Sequence, residues 1–129
     1  MPINLMFVDD EPNNVNVVKL LVELDQPEWI FHSAYDGETA LAIARQTPLD
    51  FVLLDISMPG MDGIEVCQRL RQMSDVAQLP IVMLTALDTP QRRAQSTAAG
   101  ATDFWAKPFK PTSLVKDIAK IIEEHQSAG

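Results

Sequence analysis

The chain has a single cysteine in 129 residues, which excludes an internal disulfide framework. Cys67 falls within a helical pattern and reads as a small buried hydrophobe in a reducing compartment. No basic stretch followed by an apolar segment opens the sequence. No apolar run approaches the roughly 20 residues that a membrane-spanning helix needs. The expectation is therefore a cytoplasmic protein without a membrane partner. Positive charge is also scarce. Ten Lys and Arg against 18 Asp and Glu give a net charge of -8, and only Arg92–Arg93 bring cations together. A nucleic-acid surface needs a basic footprint, so direct nucleic-acid contact is not expected. The acidity suits a cation or a basic partner surface, and it also favours solubility.

What is present is an apolar fraction of 47% in a length typical of one domain, enough for one core without staples. Short apolar runs alternate with segments of helical period. Ile3–Val8 (INLMFV) is wholly apolar except for Asn4, as a strand covered on both faces should be. A helix is predicted over Asn13–Leu24, with Val15, Val18, Leu21 and Val22 in stride, and Pro27 blocks its continuation. Trp29–Ala34 reads as a strand, and Asp36-Gly37 opens a helix through Arg45. Phe51–Asp55 (FVLLD) is the third strand, and Asp62 caps a helix over Gly63–Met73. Ile81–Thr85 is the fourth strand. Thr89-Pro90 starts the fourth helix and Gly100 ends it. Asp103–Ala106 is the fifth strand, and a last helix runs from about Thr112 to about His125, with a polar tail that frays.

This alternation implies an α/β protein, a (βα)5 doubly wound sheet of five parallel strands with helices on both faces. Right-handed crossovers are expected. Ligands of such sheets bind beyond the carboxyl ends of the strands, where strand order reverses. At that edge the sequence places Asp9, Asp10 and Glu11 after strand one, Asp55 at the end of strand three, Thr85-Ala86 after strand four and Lys107-Pro108 after strand five. Converging carboxylates raise one another's pKa. A divalent cation relieves that conflict, and an all-oxygen ligand set with no His or Cys selects a hard ion such as Mg²⁺. A carboxylate beside a metal can act as a nucleophile. A lysine and a hydroxyl at the same edge can hold phosphoryl oxygens, which is most of what phosphoryl transfer requires. The residues thus read as a carboxylate that accepts a phosphoryl group with Mg²⁺ as cofactor.

Four segments, VDDEPNN, LLDISMPGMDG, MLTA and FWAKPF, occur in this order at the ends of strands one, three, four and five. Together they resemble the receiver domain of bacterial two-component response regulators, the CheY-like family, across nearly the whole chain. The resemblance implies a flavodoxin-like fold with strand order 2-1-3-4-5. It implies that Asp55 is the phosphoacceptor, that Asp10 binds Mg²⁺ directly, that Asp9 binds it directly or through water, and that the Ser57 carbonyl completes the protein ligands. Thr85 would bond a phosphoryl oxygen and Ala86 leave room for it. Lys107 would pair with a carboxylate at rest and with the phosphoryl group after transfer, and the Lys107-Pro108 bond would be cis. Phe104 stands at the switch aromatic, where many relatives carry Tyr, so any switch here works by packing and exposure alone. Trp105 would face the other side of the sheet. Ser57 and Leu87 flank the path of the hydrolytic water, and Leu87 offers it no hydrogen bond.

Plainer roles exist for each residue. Asp55 could cap a loop N–H, Asp9 and Asp10 could cap a helix, Thr85 and Phe104 could be ordinary strand and core residues, and Pro59 and Gly63 could serve the turn alone. Three other functions compete with this one. A Mg²⁺-dependent aspartyl phosphatase of the haloacid-dehalogenase type would need a second Asp where Ser57 stands. A flavodoxin or P-loop protein would need a phosphate-binding loop where DDEPNN stands. A receiver-like interaction module that takes no phosphate would not need its acceptor and metal positions intact. The expectation is a receiver domain over residues 1–126 with a tail over 127–129. It would catalyse its own phosphorylation and slow dephosphorylation without turnover of a separate substrate. Its expected partners are a sensor histidine kinase or phosphotransfer protein, an output domain or effector, and a second phosphorylated copy. The readout surface is expected on helix four, strand five and helix five, with Arg92, Arg93, Asp103, Phe104, Phe109, Lys110 and Lys116. Met1 with a short lead into strand one suggests that the receiver opens its protein.

Overall fold

The computed structural model describes residues 2–73 and 78–128. Among them the apolar runs form β1 (Asn4–Val8), β2 (Ile30–Ala34), β3 (Phe51–Asp55), β4 (Ile81–Thr85) and β5 (Asp103–Ala106). The periodic segments form α1 (Pro12–Asp25), α2 (Gly37–Gln46), α3 (Gly63–Gln72), α4 (Pro90–Ala98) and α5 (Leu114–Ala128). Every strand pairing is parallel, and the order is β2-β1-β3-β4-β5. The sheet is the flavodoxin-like (βα)5 arrangement expected from the sequence.

Alternate residues of each strand serve opposite layers. Leu5 and Phe7 join Val18 of α1 and Ile118 of α5 in one cluster. Met6 and Val8 join Leu41 of α2 and Leu70 of α3 in the other. All five residues of β3 and all five of β4 are buried, so burial on both faces explains why these runs do not alternate with polar residues. Cys67 is buried, and its thiol donates to the Ala99 carbonyl at 3.5 Å. Trp105 does face the layer opposite Phe104, but it is only half-buried because β5 is an edge strand. Its indole N–H donates to Asp103 Oδ2 at 3.1 Å.

The helix ends follow their caps. Asp36 accepts from the Thr39 N–H at 2.7 Å, Asp62 from Glu65 at 2.9 Å and Thr89 from Arg92 at 3.1 Å. Gly100 lies at φ 98, where a left-handed residue closes α4. Two boundaries differ from expectation by more than one residue. Residues 111–113 form a turn, with the Ser113 and Leu114 N–H groups donating to the Lys110 carbonyl, so α5 begins at Leu114 rather than Thr112. It also continues through Ala128, because Gln126-Ser127-Ala128 contains no helix breaker. The expected tail is thus helical up to Gly129, which lies outside the described residues, as does Met1. Among the described residues no helix is long and apolar enough to cross a membrane.

Gly63 has more than the turn-forming role that the sequence suggests. Its N–H donates to the Ile56 carbonyl at 2.9 Å, and a Cβ built there would meet the Asp55 carbonyl oxygen and, at 2.8 Å, Ile56 Cα. Both are backbone atoms and cannot swing aside as a side chain can. The absence of a side chain therefore lets the start of α3 rest directly on the end of β3. Gly63→Ala should destabilise the domain by on the order of 3 kcal/mol, as read by urea unfolding. A loss within 0.5 kcal/mol contradicts this account of the contact.

Candidate functional site

Strand register assembles the polar edge. Val8 pairs with Leu54, Asp55 with Leu84 and Thr85 with Ala106. Asp9 and Asp55 therefore leave their strands at one level, Thr85 stands one residue and Lys107 two residues further along, and all four come to the same edge. Strand order reverses between β1 and β3, which carry Asp9 and Asp55.

The Lys107 ammonium lies between the two carboxylates, 3.2 Å from Asp9 Oδ2 and 3.4 Å from Asp55 Oδ1. Asp9 is 0% exposed and Asp55 2%. Asp9 Oδ1 accepts the Glu11 N–H at 2.9 Å, and its Oδ2 also accepts from Asn14 Nδ2 at 3.2 Å. Asp55 Oδ1 accepts the Ser57 N–H at 3.3 Å. The Asp55 side chain therefore does take a loop N–H, but it faces Lys107 as well. Burial pushes the Asp55 carboxyl up to about 6; Lys107 and the Ser57 N–H pull against that, and the Asp9 charge adds to it.

Asp10, the most exposed of the three acids, completes the cluster. Asp9, Asp10 and Asp55 each offer an oxygen, and all three oxygens lie within 4.8 Å of one another. One ammonium against three carboxylates leaves excess negative charge. The donor set is all oxygen, so it fits a hard divalent cation such as Mg²⁺.

The Thr85 side chain is buried, and its hydroxyl is turned onto the following loop. It accepts the Leu87 N–H at 3.1 Å and approaches the Leu87 carbonyl at 3.4 Å as donor. Ala86, Leu87 and Ser57 are exposed around the same edge. Phe104 is half-buried against the α2–α3–α4 layer, with the Arg93 guanidinium 4.8 Å from its ring centroid. The Lys107-Pro108 bond is cis.

The expected readout residues are not all on one face. Arg93 and Asp103 flank Phe104, whereas Lys116 lines a cleft with Asp25 and Gln26 at the end of α1. On α5, Asp117 and Glu124 line the groove beside Asp103 and Trp105, and Lys120 borders both this groove and the Lys116 cleft. Helical rotation between positions 116 and 117 explains the difference. Sequence reasoning also missed Asn14, whose amide steadies Asp9. The available signal was a polar residue in the first turn of α1, just after Pro12 at its start.

The family model for the response regulator receiver domain matches residues 5–119, so the chain belongs to the response regulator receiver domain family of two-component signalling. Response regulator PleD of Caulobacter vibrioides is 38% identical over 114 residues, covering 88% of this chain and 25% of that protein. Among solved structures, the chemotaxis protein CheY4 of Vibrio cholerae superposes with a TM-score of 0.85 at 31% identity, covering 93% of this chain and 98% of that one. A CheY-like receiver domain protein of Methanospirillum hungatei reaches a TM-score of 0.92 with full coverage of both chains, at 22% identity, and supports the fold alone. The chain spans 25% to 50% of the length of the curated relatives it matches.

The buried Asp55 charge has a measurable consequence in metal-free protein. Its carboxyl titrates near 3.8 when unfolded and at about 6 when folded. Below about pH 4 both states are protonated and nothing is lost. As pH rises from about 4 to about 6 the unfolded state ionises while the folded state resists, so stability falls across that window and the full penalty stands above it. Asp55→Asn should therefore stabilise metal-free protein by on the order of 3 kcal/mol at neutral pH, and by little near pH 4. An equal effect at both pH values, measured by chemical denaturation, contradicts this assignment.

Proposed function

We propose that this domain transfers a phosphoryl group from a phosphohistidine, on a sensor kinase or phosphotransfer protein, to a carboxylate oxygen of Asp55. The observation that carries this reading is the buried Asp55 carboxylate facing Lys107 at 3.4 Å inside an acidic cluster that fits a divalent cation. As the bond from the Asp55 oxygen to phosphorus forms, the phosphorus–nitrogen bond of the donor breaks. The departing imidazole nitrogen keeps the electron pair. Asp9, Asp10, Asp55 and the Ser57 carbonyl would hold Mg²⁺, which neutralises charge on the transferring group. Lys107 follows the charge, exchanging carboxylate contacts for a phosphoryl oxygen. Thr85 turns its hydroxyl from Leu87 to another phosphoryl oxygen, and Ala86 adds no bulk there.

The space that Thr85 leaves admits the Phe104 ring, which converts a local charge event into a change of the α4–β5–α5 surface. That surface would address an output domain, an effector or a second copy of the chain. Hydrolysis resets the switch when water attacks phosphorus and the Asp55 oxygen leaves. Leu87, 55% exposed at this edge, has no side-chain group to orient that water. The setting in which the domain works is the cytoplasm.

Incubation with Mg²⁺ and acetyl phosphate should add one phosphoryl mass to the wild type, and none to Asp55→Asn or when the metal is chelated. An unmodified wild type would support the interaction-only function instead. A shift in size-exclusion elution on phosphorylation identifies the dimer, and unchanged elution removes it. Leu87→Glu and Leu87→Asn should shorten the phosphoryl lifetime by about tenfold, equivalent to roughly 1.4 kcal/mol off the hydrolytic barrier. Equal decay rates rule out Leu87 as the cause of slow reset.

A further inference from the structure

The two residues read as the switch are both tied to the loop between β4 and α4. The Thr85 hydroxyl is held by the Leu87 backbone at 3.1 and 3.4 Å. The next residue, Asp88, receives a two-pronged ion pair from Arg93 of α4: Nε to Oδ1 at 2.7 Å and Nη2 to Oδ2 at 2.8 Å. The same guanidinium lies 4.8 Å from the Phe104 ring centroid. A planar guanidinium can do both at once, pairing through its edge while its face covers an aromatic ring. Asp103, immediately before Phe104, adds a second negative charge near Arg93.

We propose that Asp88 and Arg93 form a latch that holds Phe104 in its present half-buried position and so opposes the phosphorylated conformation. Arg93 is then a positioning residue that acts through the ring. For Phe104 to move inward it must leave the guanidinium, which Asp88 anchors outside. For Thr85 to reach the phosphoryl group it must leave the Leu87 backbone beside that anchor. The latch therefore couples both movements to one exposed ion pair. Exposed ion pairs and exposed cation–π contacts are each weak, so the combined effect on the switch equilibrium is about three- to tenfold. Because the competent state is only partly populated at rest, releasing the latch tightens apparent binding of any group that selects that state.

The inference rests on the reading of Thr85 and Phe104 as the switch, and its test separates the two. Beryllofluoride with Mg²⁺ serves as the phosphoryl mimic, and its affinity is read from backbone amide shifts by nuclear magnetic resonance. Arg93→Gln and Asp88→Asn should each tighten apparent binding by about three- to tenfold, and the double variant no further than either single change. Arg93→Lys, which keeps the charge but not the two-pronged geometry, should fall between. At about 1 M salt, where the Debye length is near 3 Å, the gap between wild type and Arg93→Gln should narrow. Unchanged or weaker binding in these variants, or additive effects of the two single changes, overturns the latch and leaves the switch standing. A wild type that does not bind beryllofluoride overturns the switch reading, and the latch with it.

Discussion

Two buried carboxylates share one ammonium at the edge of the sheet, and the rest of the structure is arranged around that imbalance. Asp9 and Asp55 sit at the ends of neighbouring strands because β1 and β3 pair with Val8 opposite Leu54. Lys107 reaches both from β5, two strands away from β3. The penalty of keeping Asp55 ionised is on the order of 3 kcal/mol. Phe51, Val52, Leu53 and Leu54, all fully buried, stabilise the same strand by roughly 2 kcal/mol each. The apolar run therefore wins, and the carboxylate is held where it does not settle unaided. Such a site fits a divalent cation and, in the proposed function, a phosphoryl group.

In the proposed function the neighbouring structure transmits the response. Gly63 seats α3 against the end of β3, so the acceptor loop is supported by backbone rather than by side chains. On the other side, Thr85 and Leu87 hold the β4–α4 loop, and Arg93 connects that loop to Phe104. In the proposed switch, a change in the charge at Asp55 would reach the α4–β5–α5 surface through a few contacts. Most of these contacts are weak enough to be exchanged.

The order of strands and helices was legible in the sequence because hydrophobic runs without alternation mark buried parallel strands, and caps such as Asp36, Asp62 and Thr89 mark helix starts. The acidic cluster with Lys107 was legible because each member ends a strand or lies within two residues of a strand end. Other features depended on three-dimensional detail that linear spacing does not carry. The contact of Gly63 with Asp55 backbone requires the crossing of α3 over β3. The turn of Lys116 toward α1 depends on where α5 starts, and that start lay two residues later than Thr112. The Asp88–Arg93–Phe104 contact joins a loop, a helix and a strand, none of which signals the others. The end of α5 lies three residues beyond His125, because none of the small polar residues that follow breaks a helix.

The electrostatic state of Asp55 governs the site. Carbon-13 titration of its side-chain carboxyl, with and without Mg²⁺, measures that state directly. The expected result is a pKa near 6 in metal-free protein, falling well below that when Mg²⁺ is added. A carboxyl that titrates near 3.8 and ignores Mg²⁺ would contradict it.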